Sequence, residues 1–145
     1  MRHNIQLKTR LAAIQLVCQY LINNEDINSL KEDFDNHYRN KKLDKSSEII
    51  KYNINFLSKL INYFKQSEKD LNLINEINNF TEFDRQFEKW DSINKAIMLV
   101  AISELKYSED PKAKIILNDY LEISKSFVNL KDTKIINALL DKFIK

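Results

Sequence analysis

Apolar residues recur at intervals of three and four along most of the chain, a period that predicts α-helices almost throughout. The clearest stretch runs from Ile93 to Phe127, and its first half contains seven consecutive apolar residues, Ala96 to Ile102. Polar side chains stand only at its ends, at Asn94 and Lys95 before and at Ser103, Glu104 and Lys106 after. The run is rich in helix formers and has no turn residue, so it predicts a helix without a polar side. Such a helix must be enclosed by other helices, and it is far shorter than the roughly 20 apolar residues of a membrane span. It therefore marks the centre of a helical domain. Immediately after it, Ser108-Glu109-Asp110-Pro111 predicts a boundary, with Asp110 capping and Pro111 in the first turn of the next helix. That helix carries the stripe Ala113, Ile116, Leu117, Tyr120, Ile123 and Phe127.

The rest of the chain reads the same way. Residues 1 to about 24 form a first helix with apolar positions Leu7, Leu11, Ile14, Cys18, Leu21 and Ile22, ended by Asn23-Asn24, since asparagine tolerates the left-handed conformation. A short amphipathic helix follows around Ile27, Leu30, Phe34 and Tyr38, with an acidic outer face. A polar connector starts at Arg39, after which Ser46 or Ser47 caps a long helix with the stripe Ile50, Ile54, Leu57, Ile61 and Phe64. Leu71, Ile74 and Ile77 predict one short helix. Thr81 opens a further turn or two carrying Phe80, Phe83, Phe87 and Trp90. Aromatics so spaced could stack nucleobases, but Glu82, Asp84 and Glu88 beside them suit a phosphate backbone poorly, and core packing is the stronger reading. The last helix shows Ile135, Ile136, Leu139, Leu140, Phe143 and Ile144. The sum is about seven helices in one all-α domain spanning residues 1–145.

Composition agrees and narrows the chemistry. The chain has 145 residues, 43% of them hydrophobic, enough for a real core. It has no glycine, which would leave an all-β fold very hard to turn and excludes a glycine-rich phosphate loop. Two histidines, His3 and His37, and one cysteine, Cys18, are far apart in sequence and make no metal-ligand pattern. A single cysteine also excludes an internal disulfide and fits a reducing compartment. No signal peptide or anchor pattern is visible, so a cytoplasmic location is expected. Carboxylates fall on helical faces opposite the apolar stripes, and no catalytic constellation or cofactor site emerges; the chain reads as a non-enzyme. The net charge of +2 names no partner. One asymmetry remains: Arg2, Lys8 and Arg10 of the first helix meet no carboxylate before Glu25, and such cations could approach a phosphate backbone.

The stretch KAIMLVAISELKYSEDPKAKIILNDYLEISKSF, with KIINALLDK from Lys134, closely resembles the C-terminal half of the NusB family of bacterial transcription antitermination factors. The matching residues are Glu104-Leu105, Asp110-Pro111, Asn118-Asp119, Glu122, Lys125, Phe127, Asn137, Leu140 and Asp141. Arg10, Ala13 and Gln15 resemble the family's arginine-rich first helix. The resemblance covers roughly the last fifty residues and the first twenty; the middle matches in helix pattern and length. It implies two small helical bundles without enzymatic activity, which bind boxA RNA of nascent ribosomal RNA transcripts together with the ribosomal protein NusE in the RNA polymerase antitermination complex. It places RNA contacts at Arg2, Lys8, Arg10 and Lys131, and a partner interface at Cys18, Asn94 and Ile135. A homodimer in the absence of those partners is compatible with it. This chain departs from the pattern in several places. Cys18 stands where a tyrosine is common, Leu99 where an arginine is frequent, and Val128 and Ala138 where glycines are usual. Lys131 aligns with an aspartate and Ile135 with a phenylalanine. Two other readings are an accessory domain of an RNA methyltransferase system and a helical protein-binding module without RNA contact. A free-standing domain is favoured over the first, because no glycine-rich methyl-donor site is present.

Overall fold

Seven helices carry the apolar stripes in a computed structural model that describes residues 2–38, 52–80, 86–109 and 111–144. They are α1 (Arg2–Asn23), α2 (Ile27–Tyr38), α3 (Ile54–Glu68), α4 (Leu73–Phe80), α5 (Ser92–Tyr107), α6 (Ala113–Phe127) and α7 (Leu130–Phe143). A single 3-10 turn, Phe87–Lys89, precedes α5, and the described residues contain no strand. The polar connector, Ser46, Ser47, Thr81 and Asp110, and Ile50 and Phe83 lie outside the described residues. The long helix expected from Ser46 or Ser47 is corrected by the extended Asn53, which caps α3 at Ile54. So do the side chains of Arg2, His3, Tyr38 and Phe80.

α5 is the axis of the molecule. It packs against α1 and α3 on one side and against α6 and α7 on the other. Ala96, Ile97, Met98, Val100, Ala101 and Ile102 are all buried, and Leu99 is the partly exposed member of the run. α2 packs on α1, while α6 packs on α7, which also touches α4. Two small bundles therefore share one central helix. A helix apolar on every side has no face to give to water, which is why neither bundle can keep it alone.

Asparagines take the place of glycine at three helix ends. Asn24 ends α1 in the left-handed region, with φ of 55°, and its N–H reaches the Tyr20 carbonyl at 2.8 Å. Asn53 caps α3 by accepting from the Phe56 N–H at 3.0 Å, and its own N–H donates to the Thr9 hydroxyl at 2.9 Å, tying the start of α3 to α1. Asn129 caps α7 by accepting from the Asp132 N–H at 2.7 Å. The boundary at the proline differs from expectation. α6 starts at Ala113 with Lys112 in the cap position, so Pro111 precedes the helix and does not occupy its first turn. Leu71 is also not part of α4; it lies in the turn before it, almost wholly exposed. Of the expected aromatic stripe, Phe87 is buried and meets the half-buried Trp90 edge-on, ring centroids 5.0 Å apart.

Candidate functional site

The most concentrated chemistry lies where α1, α5 and α6 meet. Arg10 occupies the apolar face of α1, three residues after Leu7 and four before Ile14, and is 4% exposed. Its guanidinium grips Glu104 of α5 with two hydrogen bonds, Nε to Oε1 at 2.9 Å and Nη2 to Oε2 at 2.6 Å. Nη1 donates to Asp119 Oδ2 of α6 at 2.6 Å. The buried Tyr120 hydroxyl donates to Glu104 Oε1 at 2.8 Å, and the guanidinium carbon lies 5.0 Å from the Phe56 ring centre and 5.9 Å from that of Tyr120. A planar cation with donors in a fixed fork suits two carboxylates between aromatic walls.

Burial works against the Arg10 charge, but the hydrogen bond and charge of Glu104 outweigh it, with Tyr120 and Asp119 adding to them, so its pKa rises above the ordinary value. Burial, then the Glu104 charge, pushes the Tyr120 phenol well above its ordinary value despite the opposing charge of Arg10. This cluster is closed to solvent and locks three helices together.

Arg10 therefore needs correction as an expected RNA contact. Three of its five N–H donors go to interior carboxylates, and a side chain so enclosed presents no charge to a phosphate. Lys8, two residues away and about 200° around the helix, is exposed. Cys18 is half-buried against the core, and burial pushes its thiol pKa up, which makes it a poor nucleophile.

The remaining expected positions gather at the other end of α5. Asn94, at 8% exposure, donates through Nδ2 to Asp132 Oδ2 of α7 at 3.0 Å. Lys131, exposed, and Ile135, half-buried, stand four residues apart on α7 and so share a face. From Asn94 to Glu104 is ten residues, roughly 15 Å of helix. The expected site is thus split into an α1 group beside Arg10 and an α5–α7 group beside Asn94. Glu104, Asp119 and Tyr120 were not singled out as an interior cluster, although Glu104 extends the enclosed run and Asp119 stands three residues after Ile116. Among the described residues no group of three or more histidine, cysteine or acidic side chains could hold a metal, and no helix is long and apolar enough to cross a membrane.

An all-helical fold knit through an interior arginine–carboxylate cluster does not by itself name a function, and comparison with known proteins supplies the family. The NusB family model matches residues 7–145, and the chain belongs to the NusB family. A transcription antitermination protein NusB from Tolumonas auensis is 31% identical over 84 residues, 52% of this chain and 61% of that protein. The protein of the same name from Rickettsia felis is 27% identical over 139 residues, 92% of this chain and 86% of its own length. In three dimensions the chain is similar to T. maritima NusB, with a TM-score of 0.71 at 17% identity, covering 94% of this chain and 88% of that one. The last likeness establishes the shared fold.

Proposed function

We propose that this protein is a non-enzymatic antitermination factor that binds boxA RNA together with NusE. The observation that carries the reading is family membership over nearly the whole chain, with relatives named for transcription antitermination. In this reading phosphate contacts fall to Lys8 on α1 and to Lys131 on α7, with Arg2 as a further candidate. Arg10 instead holds the scaffold that positions them. Asn94 and Ile135 belong to the NusE-facing surface, and Cys18 borders the α1 group. The test is fluorescence anisotropy of labelled boxA RNA and a scrambled RNA of equal length, with and without NusE. Binding of boxA at least about tenfold tighter than the scrambled RNA when NusE is present is expected, a difference of about 1.4 kcal/mol. Equal binding of both RNAs would remove sequence recognition from the reading.

One observation favours a second reading, a helical protein-binding module without RNA contact. With Arg10 interior, Lys8 is the one exposed cation among the described side chains of α1. NusE binding that persists with no measurable RNA affinity would select this alternative.

A further inference from the structure

A cavity of about 210 Å³ opens between the ends of α1 and α3, the start of α4 and the middle of α5. Leu21, Phe64, Leu73, Ile74 and Leu99 make it apolar. Its only charged lining residues are two acids, Glu68 and Asp70. The Tyr20 hydroxyl fixes the Glu68 carboxylate at 2.7 Å, and Tyr20 is itself braced edge-on against Phe64 at 5.8 Å. Asp70 accepts from the Asn72 N–H at 3.1 Å. Lys106 approaches Asp70 at 3.3 Å and is shared with Glu76 at 3.5 Å. Such partly exposed pairs contribute little, so an incoming cation can displace Lys106 from Asp70.

The cavity is smaller than the roughly 300–1,000 Å³ of sites for small organic ligands, which suits one inserted side chain. An apolar interior with carboxylates at the mouth matches an aliphatic stem carrying a cationic head. Two acids favour the guanidinium, whose donors can serve both, over a compact ammonium. Two sequence neighbours of lining residues are apolar and open to solvent. Leu71, next to Asp70, is 89% exposed, and Ile22, next to Leu21, is 63% exposed. Exposed apolar side chains beside a cavity mark a surface for protein contact. We infer that this cavity docks an arginine side chain of a protein partner, with the partner's flanking apolar residues lying against Leu71 and Ile22. The site is separate from the proposed RNA contacts and does not depend on them.

The test uses a short capped peptide, Leu-Arg-Ile, titrated into the full chain while methyl resonances are followed by NMR. Saturable shifts are expected at Leu73, Ile74 and Leu99. The same peptide with citrulline in place of arginine, which keeps the shape and removes the charge, binds at least about tenfold more weakly, because the charge-assisted hydrogen bonds are lost. Leu99→Arg fills the cavity with the chain's own guanidinium and abolishes the shifts while the helical spectrum is retained. Glu68→Gln, a substitution outside the core, weakens the arginine peptide and leaves the citrulline peptide unchanged. Absent shifts, equal binding of the two peptides, or an arginine response unaltered by Glu68→Gln would overturn the inference. Putrescine binding as tightly as the peptide would overturn it as well, by assigning the acids to a free cation.

Discussion

The two ends of α5 handle polar groups in opposite ways. At the Glu104 end, charges from α1, α5 and α6 converge in the interior and satisfy one another away from water. At the Asn94 end a neutral-to-charged hydrogen bond joins α5 to α7, and Lys131 beside Asp132 stays in solvent. The first end ties three helices together, and the second leaves a charged side chain open to solvent. Residue type does not decide between these roles. Lys8 and Arg10 are both basic, both on α1 and two positions apart, yet Arg10 faces two carboxylates supplied by remote elements and Lys8 faces solvent. A cation becomes structural when the helix turn aims it at acids that other helices have already buried.

The harshest way to break this comparison is to remove the helix that both ends share. Val100→Asp places a carboxylate among apolar side chains in the middle of α5, at a position 1% exposed. Without a partner, it should destabilise the protein by more than about 4 kcal/mol, or prevent folding, measured by loss of helical circular dichroism or by urea unfolding. A variant with near-parent stability would mean that α5 is not the axis described above.

A matched pair of substitutions weighs one end of α5 against the other. Arg10→Ala leaves Glu104 and Asp119 buried without their cation and should cost about 3–5 kcal/mol of unfolding free energy. Asn94→Ala removes one hydrogen bond at a site near the surface and should cost about 1–2 kcal/mol. Urea midpoints measured side by side decide the matter. Equal losses would show that the Arg10 cluster is no more structural than the Asn94 contact, and Arg10 would return to the list of RNA contacts.

Alkaline pH gives a finer probe of the interior end. The folded state holds the Tyr120 phenol protonated, whereas an unfolded tyrosine releases its proton near pH 10. Above that value the folded chain binds more protons than the unfolded one, so stability falls as pH rises; below it the contribution does not vary with pH. Tyr20, raised first by its hydrogen bond to Glu68, adds to the same slope. Tyr120→Phe should lose about 1 kcal/mol at neutral pH with its bond to Glu104, and then show a shallower decline between about pH 9 and 11. An unchanged alkaline slope would place the Tyr120 hydroxyl in contact with solvent.

These tests also mark what could be read before the structure was known. Helix number, the central place of Ala96–Ile102 and the asparagine stop at Asn24 follow from periodicity and local backbone preference, which need no knowledge of neighbours. The start of α6 was misplaced because proline permits a first turn without requiring one, and the chain turns in two residues later. The Arg10 cluster was the harder case. Its members are separated by 94 and 109 positions, so their pairing depends on how α1, α5 and α6 cross, and helical period is silent on that. Periodicity did carry one usable sign: Arg10 stands on the line joining Leu7 and Ile14, while Lys8 does not. A charge on the apolar line asks for a buried partner, and Glu104, at the end of an enclosed run, was the matching clue.

The smallest effect tests the exposed half of the comparison. If Lys8 meets a phosphate, binding releases the counterions condensed there, and for single-stranded RNA the logarithm of affinity falls against the logarithm of salt by about 0.7 per phosphate neutralised. Because Arg10 is interior, α1 loses one such unit on Lys8→Ala, so the slope measured with NusE present should flatten by about 0.7 and not by twice that. The loss should be nearly the same for boxA and for a scrambled RNA, since a phosphate contact positions the strand without reading its bases. Lys131→Ala on the opposite end should flatten the slope by a similar amount if α7 also meets the backbone. A slope unaffected by Lys8→Ala but reduced by Lys131→Ala would move the RNA from α1 to the Asn94 end of α5. A slope unaffected by either would leave protein contact as the work of this surface.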